Sequence, residues 1–295
     1  MNASVETRAN GASPAGAREG IAVKPGRHRE ASLYHALAGA GAGAGHTLAE
    51  LREQAERAFE QSELPVWRRS GFWTTSFAEL DLEALATREH PRDSGVPDFV
   101  TSTIPERPRA GRIVQLDSSV VHVELDQDLA ERGVILCSLE EAAESHTELF
   151  ERWYSKRLTI DRHKLEAANA AFWTGGAFLY VPDGLVVENP FEIVNAISGP
   201  GVAQYGRTLV IGGCSTEFRV HEHNLASDFA GLDAASGGAR DSERGAEPGT
   251  TDGARDSETG CGQSLHAGAF EMYLQDGARC RLAQVQDWGP AQVFD

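Results

Sequence analysis

The chain has 295 residues and a formal net charge of −17, from 27 basic and 44 acidic side chains. A chain of this length can form one sizeable hydrophobic core, or one core with a small additional domain. The acidic balance argues against nucleic acid and against an anionic membrane as partners, because both are bound through basic surfaces.

Cysteine spacing and hydropathy predict the compartment. The cysteines are far apart and form no C-x-x-C pair, so no zinc ribbon or redox dithiol is encoded locally; they are Cys137, Cys214, Cys261 and Cys280. Such a sparse set fits a reducing cytosol. No apolar stretch approaches the length of a membrane span, and the first thirty residues lack the apolar segment of a signal peptide. We therefore expect a soluble, cytoplasmic protein.

The N-terminal part is predicted to begin with a disordered tail, residues 1–45, which is polar and shows no apolar periodicity. Thr47 and Glu50 then form a capping box, and apolar residues at helical spacing predict a helix to about Ser62. The aromatic and arginine residues of 67–73 could stack on a flat ligand, but docking of this segment onto the body is preferred.

Residues 46–173 as a whole are predicted to form a mostly helical region with a few short strands. Alternation over Arg112–Glu124 predicts a strand or hairpin, and Val134–Cys137 a short strand. A second capping box at Ser138 opens a helix that runs through Trp153. Asp161 can cap one further helix, which ends before two glycines at 175 and 176.

From residue 174 the pattern changes to short β-strands separated by turn residues. Strands are predicted at 177–181, 185–188, 191–197, 207–211, 217–223, 269–274 and 278–286. Many short strands at nearly regular spacing are typical of a β-sandwich, a β-barrel or a β-helix, and periodicity alone does not choose among them.

Residues 230–266 interrupt these strands. The segment is rich in Gly, Asp, Glu and Ser and contains two near-identical GARDSE copies. It has too few apolar residues to offset the entropy of ordering, so it is predicted to be a disordered acidic insertion. A calcium-binding loop is the alternative, although the spacing does not match an EF-hand.

Several collinear segments resemble the SufB/SufD family, the scaffold components of the SUF iron–sulfur cluster assembly system. They are GAFLYVPDGLVVENPFEI (176–193), RTLVIGGCSTEFRVHEH (207–223) and AFEMYLQDGARCRLAQVQDW (269–288). PVWRRSGFWTTS (65–76) is similar to a tryptophan–arginine segment of the SufD branch. The resemblance implies a right-handed parallel β-helix over residues 174–295, preceded by a small helical region. Family members continue with more β-helix and a helical domain, so this core is expected to be incomplete.

The resemblance also implies a function. A SufD-like chain would be a non-catalytic scaffold subunit that acts with a SufB-like subunit and a SufC-like ATPase. The isolated chain would hold no cofactor, and the assembled complex would handle the iron–sulfur cluster. The sequence contains no G-x-S-x-G, P-loop or G-x-G-x-x-G motif, so no catalytic residue is assigned.

The weak candidates for metal ligands are His221, His223 and Cys214. Two histidines at an i, i+2 spacing lie on one face of a strand, as in metal-binding cupins, so a cupin-like metalloprotein is the alternative function. A cupin site would also need Asp228 and His266 as ligands. Otherwise both histidines lie on one outward face of a β-helix strand, and Glu222 lies on the opposite face.

Overall fold

The computed structural model describes residues 48–64, 66–69, 73–76, 80, 82–158, 160, 163–227, 262–288 and 292–294. The predicted tail at 1–45, Asp161, Asp228, Cys261 and nearly all of the predicted insertion lie outside these residues, as do the side chains of 65–79.

The helices of the described residues lie before residue 174. They are α1 (Leu48–Gln61), α2 (Asp98–Thr103), α3 (Gln127–Glu131), α4 (Leu139–Ser145), α5 (Thr147–Trp153) and α6 (Lys164–Phe172), with a 3-10 turn at Leu82–Ala84. The helix predicted after Thr47 is confirmed as α1, whereas α2 and α3 were not predicted. Within this part of the chain no helix combines the length and apolar character needed to cross a bilayer.

Two helix predictions need correction. The helix expected from Ser138 to Trp153 is divided into α4 and α5, because His146 leaves the helical conformation (φ −127°, ψ 39°). Ser138 still caps the first of these helices, since its Oγ accepts from the Glu141 amide at 3.1 Å. Helix α6 is capped by His163 rather than by Asp161: the imidazole Nδ1 accepts from the Glu166 amide at 3.3 Å.

Most strands lie close to their predicted positions. They are β1 (Val66–Arg69), β2 (Trp73–Ser76), β3 (Gly111–Leu116), β4 (Ser119–Leu125), β5 (Ile135–Cys137), β6 (Ala177–Val181), β7 (Phe191–Ile197), β8 (Ala203–Gln204), β9 (Arg207–Gly212), β10 (Glu217–Ala226), β11 (Gln263–His266), β12 (Ala269–Leu274), β13 (Arg279–Asp287) and β14 (Gln292–Phe294). Residues 185–188 make only an isolated bridge, between Val186 and Glu217.

The predicted disordered insertion of 230–266 extends too far at its C-terminal end. Residues 263–266 form β11, which pairs with β8 and β14, and Ser264, Leu265 and His266 are buried. The strand was missed because it is short and carries polar residues that alternation analysis assigns to a loop.

Successive strands from β6 onward belong to the first, second and third of the larger sheets in rotation. Strands β6, β9 and β12 pair in parallel in one sheet, β7, β10 and β13 in a second, and β8, β11 and β14 in a third. Hairpin β3–β4 extends the second sheet next to β7, and β5 extends the first next to β6. Hydrogen bonds therefore cross the predicted boundary at residue 173. The fold contains both helix and strand, with more strand than helix, and its sheets are mostly parallel.

The hydrophobic core lies between the first and second sheets. Leu179 and Val210 of the first sheet pack near Phe191, Phe218 and Val220 of the second. The helices cover the opposite face of the first sheet with an apolar layer that includes Leu139, Phe150, Trp173, Phe178, Leu209 and Ile211. Helix α2 covers the outer face of β3 and β7 in the same way. The space enclosed by the sheets is thus partly apolar, and its remaining part is polar.

Candidate functional site

The inner face of the second sheet becomes polar toward the C-terminal ends of its strands. The parallel register places Asn195, Asn224 and Gln286 in one row, and Ile193, Glu222 and Gln284 in the preceding row. Asn195 Nδ2 donates to Asn224 Oδ1 at 2.9 Å, so the first row is linked across strands. Burial of such amides lowers the stability of the folded state unless their hydrogen bonds are satisfied.

Glu222 is a carboxylate placed inside the protein, on the face opposite to His221 and His223, as the strand alternation predicted. It is 5% exposed, and its oxygens accept from Gln284 Nε2 at 2.6 Å and from Thr208 Oγ1 at 3.3 Å. These donors partly replace the water that the carboxylate loses on burial.

His266 faces the same enclosed space from the third sheet. Its ring is buried, and burial lowers its pKa to about 4, so the imidazole is neutral at pH 7. Gln204 Nε2 donates to two backbone carbonyls, which leaves Gln204 Oε1 as the acceptor 2.7 Å from His266 Nδ1. The proton is therefore on Nδ1, and Nε2 is an acceptor. Glycine is required at 268, because a Cβ there would lie 2.6 Å from Nε2.

These groups line a cavity of about 140 Å³, large enough for a few water molecules or one small polar molecule. Its lining combines one carboxylate, one neutral imidazole, one hydroxyl and several amides, from Asn195, Gly206, Thr208, Glu222, Asn224, His266, Gly268, Ala269, Phe270, Gln284 and Gln286. This set can bind a polar molecule by hydrogen bonds, and no cysteine or serine lines it.

A second cavity, of about 480 Å³, lies between the β3–β4 turn and the start of α4. His90 lines it, and its Nε2 lies 2.8 Å from Oδ2 of Asp117, which is fully buried. Asp117 also accepts from the backbone amide of Ser198 at 2.8 Å. The carboxylate thus holds the residue-90 segment against the end of β7. The sequence carries no local signal for this pair, because the two residues belong to different segments.

The predicted metal candidates lie elsewhere. His221 and His223 are half-buried on the outer face of β10, with ring centroids 6.5 Å apart, and Cys214 lies in the turn before this strand. His266 is on the inner side, so the cupin constellation is not brought together. Among the described residues no group of three or more His, Cys, Asp or Glu could hold a metal ion.

The electrostatic surroundings of the outer histidines are set by a buried ion pair. Arg112 and Glu192 are both about 2% exposed, and Arg112 Nε donates to Glu192 at 2.7 Å. Glu192 is the register neighbour of His221. Burial lowers the pKa of His223; the negative charge of Glu192 partly opposes this, whereas His221, Arg112 and Arg107 lower the pKa further. His223 is therefore mainly neutral at pH 7.

The same physical argument lowers the reactivity of two thiols, that of buried Cys137 and that of half-buried Cys280. Burial raises the pKa of Cys137 to about 12 and that of Cys280 to about 11. A thiol with such a pKa forms almost no thiolate at neutral pH, and the thiolate is the nucleophile and the metal ligand. Cys214 is half-exposed, and its backbone amide donates to Asp183 Oδ1 at 2.7 Å.

The fold and the cavity define a class of protein. Successive strands of the chain enter three largely parallel sheets in rotation, a helical layer covers one side, and the sheets enclose a polar space. Residues 36–193 match the family model described as the SufBD protein N-terminal region. The chain is 28% identical over 153 residues to an iron–sulfur cluster assembly SufBD family protein of Staphylococcus saprophyticus. It has the same identity, over the same length, to proteins of that description from Staphylococcus aureus strains USA300 and NCTC 8325.

The family match covers more than half of the chain, which therefore belongs to the SufB/SufD family. Each of these alignments covers 47% of the chain and 33% of the relative, so the chain spans about a third of the length of the curated relatives that it matches.

Proposed function

We propose that the chain is a SufD-like, non-catalytic scaffold subunit in iron–sulfur cluster assembly. Membership of the SufB/SufD family carries this proposal, and the relatives that match the chain are named as iron–sulfur cluster assembly proteins. The cluster would be the cargo of an assembled complex in the cytoplasm, and the isolated chain would hold no cofactor of its own. The polar, cysteine-free lining of the inner cavity is compatible with a scaffold.

The architecture proposed for this role is a right-handed parallel β-helix, in which each coil contributes one strand to each of three sheets. The order of strands supports it: β6 to β8, β9 to β11 and β12 to β14 repeat the same three sheets, with in-register parallel pairing between successive repeats. A stack of this kind makes a rigid support and leaves a strand edge at its end.

The proposed partners are a SufB-like subunit and a SufC-like ATPase. Strand β13 is exposed along most of its length and pairs only with β10 among the described strands. The backbone amides and carbonyls along the other edge of residues 279–285 can be covered by a strand of another chain, which is a common mode of association between β-proteins.

The test is co-expression of the tagged chain with SufB-like and SufC-like subunits of the same source. We expect the three to co-elute and to reconstitute a cluster together, because a scaffold acts only within its complex. Elution of the chain without either partner would contradict the proposal.

Metal analysis of the isolated chain tests the alternative. We expect no stoichiometric iron or zinc after aerobic or anaerobic purification. Stoichiometric metal that is lost in the variant His221→Ala, His223→Ala would instead favour a cupin-like metalloprotein.

A further inference from the structure

We propose that the outer face of β10 and β13 is a docking surface for an acidic segment of a partner protein. The surface, called here the basic strip, consists of Arg219, Arg279 and Arg281, which carry its charge, and of the neighbouring His221 and His223. It is separate from the inner cavity, because alternate residues of β10 face opposite sides of the sheet.

The parallel register concentrates the arginines of the basic strip. Arg219 lies directly beside Arg281, and Arg279 lies beside Glu217. Neighbouring strands are about 4.8 Å apart, so the guanidinium groups of Arg219 and Arg281 can reach the same carboxylate. All three arginines are exposed, and they belong to adjacent positions of one face.

This arrangement is unfavourable for the isolated chain. Like charges placed directly opposite each other on neighbouring strands destabilise a sheet. None of the three arginines forms an ion pair with another described residue, although the chain carries 44 acidic residues against 27 basic ones. Arginine binds carboxylates through two parallel hydrogen bonds, so external carboxylates would relieve the repulsion and be held in a defined geometry.

The shape and surroundings of the strip favour a short protein segment over other anions. From Arg219 to His223 the strip is about 13 Å long at 3.3 Å per residue, which matches a few residues of extended chain. Val285 lies beside His223 in the register and is 44% exposed, so an apolar side chain of the partner has a contact there. The net charge of −17 repels long polyanions and anionic membranes, which would extend beyond the strip.

The test uses a rhodamine-labelled tetraglutamate peptide, whose extended length matches the strip, and fluorescence anisotropy at low ionic strength. We expect saturable binding that weakens with salt, and at least a tenfold increase in Kd for the variant Arg219→Gln, Arg281→Gln. The matched control is Arg57→Gln, Arg132→Gln, which removes two exposed arginines that already pair with Glu53 and Asp128. Its Kd should stay within twofold of the parent value.

Thermal unfolding separates docking from a structural role. The variant Arg219→Gln, Arg281→Gln should melt no lower than the parent chain, because it removes a repulsion and no described ion pair. If that variant does not fold, the single change Arg279→Gln should still weaken peptide binding more than the control does.

Equal weakening by the variant and the control would overturn the proposal, since binding would then depend only on overall charge. Preferential binding of double-stranded DNA or of phosphatidylserine vesicles over the peptide would also overturn it. The proposal does not depend on the scaffold role. If the variant Arg219→Gln, Arg281→Gln loses peptide binding but still assembles with SufB-like and SufC-like partners, the result supports the docking surface independently of the proposed function.

Discussion

Replacement of Glu271 by leucine should destabilise the protein more than replacement of its ion-pair partner Arg207 by methionine. The two side chains are each 2% exposed, and Arg207 Nη2 donates to Glu271 Oε2 at 3.0 Å. Both lie where the helical layer meets the first sheet, on β9 and β12. Breaking a buried ion pair by removing one partner costs about 3–5 kcal/mol, because the remaining charge is left without a counter-ion.

The asymmetry follows from what each residue retains. Without Arg207, the carboxylate still accepts from the Tyr273 hydroxyl at 2.7 Å and from the amides of Ser155 and Arg157 at 3.0 and 3.3 Å. We therefore expect a loss of about 1–3 kcal/mol for Arg207→Met, as for a buried group left partly unsatisfied.

Arg207 keeps less when Glu271 is replaced. Its Nη1 still donates to Asn169 Oδ1 at 3.1 Å, and its guanidinium lies 4.4 Å from the ring of Tyr154. Its Nε is buried without a partner among the described residues. Glu271→Leu should therefore lose about 3–5 kcal/mol of unfolding free energy.

The assay is urea unfolding followed by circular dichroism for the two single variants and the double variant. We expect the double variant to lose less than the sum of the single losses, by about 2 kcal/mol, since it removes both charges together. The control cycle uses the exposed pair Arg57–Glu53, whose coupling should be about 0.3–0.5 kcal/mol. Losses at Arg207 and Glu271 that add to within about 0.5 kcal/mol would refute the reasoning.

Three further predictions concern single residues. His266 takes up no proton in the folded state until about pH 4, whereas the unfolded chain does so near pH 6.5. Stability should therefore fall by about 3 kcal/mol as the pH drops through this window, and His266→Gln should reduce that loss in urea titrations. Gly176 has a φ of +68°, and in Gly176→Ala the added Cβ would lie 2.5 Å from the carbonyl oxygen of Arg207. This variant should lower the urea midpoint more than Gly184→Ala, because Gly184 has a similar φ of +73° but open space around it. In a Cys261→Ser background, a thiol reagent at pH 8 should label Cys214 quickly, half-buried Cys280 more slowly because its pKa is raised, and Cys137 only on unfolding. Rapid labelling of Cys137 would contradict its burial.

Local sequence patterns were sufficient for most elements. The bounds of β6, β7 and β12 agree with the predicted strands, and Ser138 caps its helix as its position indicated. Such features depend on residues a few positions apart, so a single sequence contains them. The five described strands that were missed, β1, β2, β8, β11 and β14, have two to four residues each, too few for alternation to be recognised.

The partners of the site residues could not be predicted in this way. Arg207 and Glu271 are 64 positions apart, and His266 meets Gln204 across 62 positions. No local pattern marks these pairs, because they arise from the stacking of one strand triplet on the next. The basic strip has the same origin, since Arg219 and Arg281 become neighbours only through the β10–β13 register.

By itself, the sequence determined where most of the longer strands occur, and it placed Glu222 on the face opposite to His221 and His223. The tertiary structure decided which of those two faces is enclosed. That choice depends on how three sheets close around a common space, which makes Glu222 and His266 interior groups and leaves the histidines of β10 on the outer face. Alternation specifies two faces of a strand, but only packing against other sheets removes one of them from water.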